Sequence, residues 1–384
     1  MRKIAVFTGT RAEYGLLRPV LRRLENSSTC ILQLIVSGTH LSTAHGYTID
    51  EITTDGFSPA ATVHLTLTKT SPEAIALGLG GMVAELGNAL ARLQPDILVL
   101  LGDRYECLGA ALTASLFNLP IAHISGGDIT EGAVDDSYRH AISKLSHLHF
   151  TSCEEYRQRV IQLGEQAEKV FNFGDLGVEN VLALPLLSGK EIRQYLGVSD
   201  RSYFLCTFHP ETLGVGSSSE KLHVLLEALD TFSEYDVVFT GANADAEGDA
   251  INTLLKARAD QAEHFHFFMS LGLLRYLSAA KYAACVVGNS SSGILEIPSL
   301  GVPVVNIGDR QRGRLCSQGI LHCPLEARSV RQALSQALTP EQKKFILSAP
   351  NPYGKTGASQ AIAEILQSYP LTGILKKKFF DLPR

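Results

Sequence analysis

An α/β chain of two domains, each a parallel sheet covered by helices on both faces, is what this sequence predicts. Three observations lead there. Short continuous aliphatic runs recur, each closed by Gly or a polar residue and followed by a helical period, the pattern of strands buried on both sides. The chain has 384 residues, against about 100–200 per domain. The alternation also stops once and restarts. In chain order the predicted strands are Ile4–Phe7, Leu32–Val36, Ile97–Leu101, Ile121–Ile124 and Leu148–Thr151, then Tyr203–Phe208, Val237–Thr240, Phe265–Phe268, Cys285–Val287 and Val302–Ile307. Between the two series Leu182–Tyr195, with Pro185, Ser188 and Gly189, reads as a linker. The expected domains are therefore 1–182 and 195–356, with the tail 357–384 joining the first. Residues 357–366 read as helix, and the run Lys376-Lys377-Lys378-Phe379-Phe380 as a solvated surface segment.

Composition narrows the function classes. Hydrophobic residues make up 45% and charged residues 19%, enough apolar surface for two cores and too little polarity for a disordered chain. The net charge of −5 argues against broad electrostatic binding of nucleic acid. Seven cysteines include no CxxC pair, so no zinc knuckle is expected and a reducing, cytoplasmic compartment fits. The apolar run Ile4–Phe7 is too short for a signal peptide. Cys107 to Gly127 carries no formal charge over 21 residues, yet Asn118-Leu119-Pro120 reads as a turn, giving a buried helix and strand rather than a membrane span.

Ligands of open α/β sheets sit beyond the carboxyl ends of the strands, so the strand-end motifs matter most. The first strand ends in Thr8-Gly9-Thr10-Arg11-Ala12-Glu13-Tyr14-Gly15. Arg11 stands where a helix begins, a position suited to a phosphate. The spacing is not GxGxxG, which weighs against a nicotinamide oxidoreductase; an ordinary turn with a solvated Arg explains it equally well. Ile97–Leu101 ends in Gly102-Asp103-Arg104-Tyr105-Glu106, delivering a carboxylate and a guanidinium; the plainer reading makes Asp103 a helix cap. His123-Ile124-Ser125-Gly126-Gly127 is followed by Asp128, Glu131, Asp135 and Asp136. Four acids in one glycine-rich loop exceed what capping needs, and carboxylates are what proton transfer wants.

In the second half, Phe208-His209-Pro210-Glu211-Thr212 puts a histidine at a strand end. Gly288-Asn289-Ser290-Ser291-Ser292-Gly293-Ile294-Leu295-Glu296 runs from a strand through a hydroxyl-rich turn into a helix. Free backbone N–H groups and hydroxyls there suit a diphosphate, and Glu296 could accept hydrogen bonds from ribose. A capping box would need Glu three residues after its Ser, and Glu296 follows Ser292 by four. Gly308-Asp309-Arg310-Gln311 then brings Arg310.

Together these motifs resemble, over nearly the whole chain, the hydrolysing UDP-N-acetylglucosamine 2-epimerases of sialic acid and related (legionaminic-type) nonulosonic acid routes. The resemblance implies a glycosyltransferase-B-like fold of two Rossmann-like domains facing a cleft, with the nucleotide held mainly by the second. It implies elimination of UDP to a 2-acetamidoglucal, then hydration to a free N-acetylmannosamine-type sugar. By resemblance Arg11, His209, Asn243, Ser290, Ser291, Glu296 and Arg310 contact the nucleotide, with Arg104, Asn289, Ser292 and Gly293 beside them, while Asp103 and Asp135 handle protons. Many members carry His-Ile-Glu-Gly-Gly where this chain has Ser125. Serine cannot be an ordinary acid/base, so Asp128 or Glu131 is the expected replacement, with His209 as a further catalytic candidate. No cofactor or metal is called for, no membrane or nucleic acid is an expected partner, and a homodimer or homotetramer is the expected assembly. The competing readings are a glycosyltransferase of the same architecture, a silent nucleotide-sugar sensor and, last, an oxidoreductase. The sugar's substituents, and UDP or GDP, stay open.

Overall fold

The computed structural model describes residues 1–43, 46–66, 71–131, 133–198, 200–211, 216–242 and 247–381. Two parallel sheets with alternating helices form two Rossmann-like units. The first unit comprises 1–128, 135–180 and 355–384, the second 129–134 and 181–354.

The first sheet holds β1 (Arg2–Thr8), β2 (Cys30–Ser37), β3 (Ala61–Val63), β4 (Ile97–Leu101), β5 (Ile121–Ile124), β6 (Leu148–Thr151) and β7 (Val170–Asn172), in the order β3-β2-β1-β4-β5-β6-β7. All pairings are parallel, with Ile4 opposite Ile97 and Leu98 opposite Ile121. Ile97–Leu101 is buried throughout, as expected of a strand flanked by partners and covered on both faces. Order reverses between β1 and β4, and that switch point is where such sheets bind ligands. The loops after β1 and β4, carrying Arg11 and Asp103, therefore lie on neighbouring strands.

The second sheet repeats the plan with β8 (Tyr203–Thr207), β9 (Asp236–Thr240), β10 (Phe265–Phe268), β11 (Cys285–Gly288), β12 (Val304–Ile307) and β13 (Leu321–Cys323), ordered β10-β9-β8-β11-β12-β13. Its switch point falls between β8 and β11, which pair Thr207 with Gly288. The contact is close. Gly288 has φ +137°, and a Cβ there would lie 1.9 Å from the Thr207 carbonyl oxygen, so only glycine fits.

Two segments carry more structure than the sequence suggested. Leu176–Ala183 and Gly189–Leu196, which overlap the expected linker, are helices. The second starts at a capping box in which Ser188 Oγ accepts the Glu191 N–H and Glu191 bonds the Ser188 N–H. The basic tail is not simply solvated either. Lys377 Nζ donates to the carbonyls of Lys144 and Ser146 and reaches Glu165 Oε1 at 2.7 Å. Phe379 lies under the Lys144 ammonium at 4.7 Å. The helix Ala358–Ser368 buries Ile362, Ala363 and Leu366 in the same core cluster as Leu17 and Val20.

Cys107–Gly127 forms the buried helix Tyr105–Leu116 and strand β5, as expected. One described helix, Pro72–Leu93, is long and apolar enough to cross a membrane by length and composition. It packs Met82, Leu86, Ala89 and Leu90 into the core beside β4.

Candidate active site

In the first unit the acid-bearing turn after β4 is built on a glycine and a histidine. Gly102 has φ +84°. Its carbonyl accepts from His123 Nε2 at 2.7 Å, leaving Nδ1 to accept from Ser143 Oγ at 3.0 Å. His123 is fully buried, and burial pushes its pKa down to about 3. A neutral ring of fixed tautomer thus anchors the turn that presents Asp103. The helix Tyr105–Leu116 takes Arg104 as its N-cap residue with no side-chain cap, so Asp103 is not spent on capping. Its carboxylate instead meets the guanidinium of Arg139, which is nearly buried and also faces Asp136 at 3.6 Å. Asp135 and Asp136 both lie in the first turn of the helix Asp135–Leu145. Arg139 therefore gathers Asp103 and Asp136 around one buried cation.

Arg104 is held by the fully buried Glu106 through Nε at 3.2 Å and Nη2 at 3.4 Å. Arg11 opens the helix Arg11–Glu25, whose N-cap Thr10 forms a capping box with Glu13. Glu13 accepts the Gly9 and Thr10 N–H groups at 2.7 and 3.2 Å. Those amides are spent, and any anion bound there relies on the Arg11 side chain. Burial and then the neighbouring Glu106 charge raise the Glu13 pKa to about 7. The capping-box spacing of Thr10 and Glu13 was a signal available in the sequence.

Ser125 adopts φ +64°, a left-handed backbone uncommon for a residue with a Cβ and concentrated at functional sites. Its N–H donates to the Phe150 carbonyl at 2.8 Å. Asp128 is 3% exposed and accepts from Ser152 Oγ at 3.5 Å. Glu131 belongs to the second unit, is half-exposed, and faces Arg312 at 3.4 Å. Asp128, Glu131 and Asp136 thus meet three different partners, Ser152, Arg312 and Arg139.

In the second unit Asn289 organises the switch point. It is fully buried. Its Oδ1 accepts the His209 N–H at 2.7 Å and its Nδ2 donates to the His209 carbonyl at 2.8 Å. Its own carbonyl accepts from Arg310 Nη1 at 3.0 Å and Gln311 Nε2 at 2.9 Å. Asn289 therefore joins the ends of β8, β11 and β12, and its side chain is already committed to the His209 backbone. Ser290 caps the helix Ser291–Leu295, its Oγ accepting the Ser292 N–H. Gly293 is buried, and a Cβ on it would lie 3.3 Å from Val304. Ser292 Oγ donates to Glu296 Oε2. Glu296 is 8% exposed and forms no capping box, consistent with its four-residue spacing. Asn243 and Thr212 lie outside the described residues. A cavity of about 830 Å³ opens beyond β12 and β13, lined by residues including Lys221, Asp309, Gln311, Arg312 and Arg314. It flanks Arg310 without including any predicted site residue.

The chain matches the model of the family UDP-N-acetylglucosamine 2-epimerase over residues 22–367. It is 38% identical to the GDP/UDP-N,N'-diacetylbacillosamine 2-epimerase (hydrolyzing) of Campylobacter jejuni, with 99% of each chain covered. It is 36% identical to polysialic acid biosynthesis protein P7 of Escherichia coli, over 100% of this chain and 98% of that one. The solved structure of Neisseria meningitidis UDP-GlcNAc 2-epimerase bound to UDP-GlcNAc superimposes with TM-score 0.77 at 20% identity, covering 95% of this chain and 99% of that one.

Proposed function

Because the chain belongs to the UDP-N-acetylglucosamine 2-epimerase family, we propose that it is a hydrolysing nucleotide-sugar 2-epimerase. Its substrate is UDP-N-acetylglucosamine or the 2,4-diacetamido-2,4,6-trideoxy analogue, and its products are UDP and the free 2-epimeric sugar. The observation that carries the reading is the full-length relation to the Campylobacter jejuni protein, whose name states both the hydrolysis and the 2-epimerisation.

The chemistry fits the groups present. The hydrogen on carbon 2 has no adjacent carbonyl and is weakly acidic, so the carbon 1–oxygen bond must break as that proton leaves. UDP departs with the bonding electron pair, and a carbon 1–carbon 2 double bond forms. Water then supplies hydroxyl to carbon 1, and a proton returns to the opposite face of carbon 2. More than one proton-handling group is needed. Asp103 and Asp135 take these roles, with Asp128 as the replacement for the acid missing at Ser125. Arg139 orients the Asp103 carboxylate through a charge-assisted contact. In the second unit Ser290 and Ser291 receive the diphosphate with Arg310, and Glu296 takes the ribose hydroxyls. Arg11 and His209 neutralise charge as UDP leaves. Asn289, committed to the His209 backbone, positions that residue.

Incubation with each nucleotide sugar in heavy water tests this. The expected products are UDP and a free sugar bearing deuterium at carbon 2; a product retaining the original carbon-2 hydrogen would refute it. Glu296→Ala is expected to weaken UDP by about 1–3 kcal/mol, the range for leaving polar groups unpaired.

A further inference from the structure

Tyr276 sits on the helix Gly272–Tyr282, outside every motif singled out in the sequence. Its hydroxyl is buried and makes no hydrogen bond of good geometry, although the hydroxyls of Ser292 and Thr207 lie beside it. A buried hydroxyl flanked only by other hydroxyls calls for an explanation. Burial pushes the phenol pKa up to about 12, so the group keeps its proton and is a donor.

Two hydroxyls stand as acceptors for that proton, and only one of them leads to a charge. Thr207 Oγ1 is already paired with Thr240 Oγ1 at 2.5 Å. Ser292 Oγ gives its own hydrogen to Glu296 Oε2, which leaves its lone pairs as acceptors. A donor chain running from phenol to serine to carboxylate ends on a charge, and such chains strengthen cooperatively.

We propose that Tyr276 is a positioning residue for nucleotide recognition, donating to Ser292 so that Ser292 holds the Glu296 carboxylate in the orientation that receives the ribose diol. This rests on the assignment of Glu296 to the ribose. Arrival of two ribose hydroxyls on Glu296 draws the carboxylate, and with it Ser292, into a fixed pose that the phenol completes. The ligand class recognised is a nucleotide with free 2′ and 3′ hydroxyls.

Calorimetric titration of the full chain with UDP and with 2′,3′-dideoxy-UDP tests it, using Tyr276→Phe, Ser292→Ala, the double variant and Glu296→Ala. Tyr276→Phe should weaken UDP roughly two- to tenfold, the worth of one net hydrogen bond, raise KM by the same factor, and leave dideoxy-UDP unaffected. In the Ser292→Ala background the phenylalanine should cost nothing more. Equal losses for both ligands, or a full loss retained without Ser292, would mean that the hydroxyl acts elsewhere than through Ser292, no loss at all would mean that the ring only packs, and each would overturn the relay. If Glu296→Ala discriminates the two ligands and Tyr276→Phe does not, the relay alone fails. If Glu296→Ala leaves UDP binding unchanged, the ribose assignment itself fails and takes the relay with it.

Discussion

Replacing Asn289 with alanine should unpin His209 while leaving the rest of the switch point formed. The side chain spans 80 residues of sequence to satisfy both backbone groups of His209, at 2.7 and 2.8 Å, from a site with no solvent exposure. Its loss leaves a buried N–H and a buried carbonyl unpaired. At about 1–3 kcal/mol each, the penalty is about 2–6 kcal/mol, a large share of a domain's typical 5–15. Contacts made by the Asn289 backbone, from Arg310, Gln311 and to Thr207, survive the substitution. Hydrogen exchange read by mass spectrometry on the intact chain gives the local measure. Peptides covering 203–209 and 285–289 should exchange at least about 30-fold faster, the lower end of that range, with 97–101 of the first unit as internal control. Asn289→Asp keeps the acceptor and loses the donor, so it should fall between. Displacing His209 by an ångström should also lower turnover about a hundredfold. Unchanged protection in β8 and β11 would refute the reasoning.

Further tests address the first unit. Glu13 binds its proton more tightly folded than unfolded, 7 against 4.5, so its contribution to stability is present below pH 4.5 and declines as pH rises to about 7. The span amounts to about 3 kcal/mol; Glu13→Gln should flatten that slope in denaturant titrations run across pH 5–8, and a slope identical to the parent's would count against it. Asp128→Asn should lower turnover at least about a hundredfold with UDP binding intact; near-normal turnover, together with a stability loss shared by Ser152→Ala, would show that Asp128 only braces the loop. Against burial, which raises it, hydrogen bonds from His149, Lys144 and Lys377 hold Glu165 down to about 2. Its stabilisation is thus present above pH 4.5 and lost as pH falls towards 2, and Lys377→Met should move the acid unfolding midpoint upward. No movement would place the tail outside the stabilising network.

What the sequence revealed, and what it did not, follows from which interactions are local. Ile97–Leu101, Ile121–Ile124, Leu148–Thr151 and Phe265–Phe268 match the structure residue for residue, and nearly all are interior strands whose double burial writes itself as an aliphatic run. The strands not foreseen are β3, β7 and β13, each of three residues and each at a sheet edge, too short to carry a period. Gly189 counted towards a linker, whereas Ser188 and Glu191, three apart, signalled the helix that is there. At the site, strand-end turns were legible because the switch point of an open parallel sheet falls at strand ends by topology. The division of labour within them was not. That Asn289 serves His209 and that Arg139 reaches Asp103 depend on residues brought together by the sheet. The same holds for Ser125, where nothing local foretold a left-handed backbone. Beyond that serine the carboxylates Asp128 and Glu131 meet Ser152 and Arg312, partners that spacing alone cannot assign.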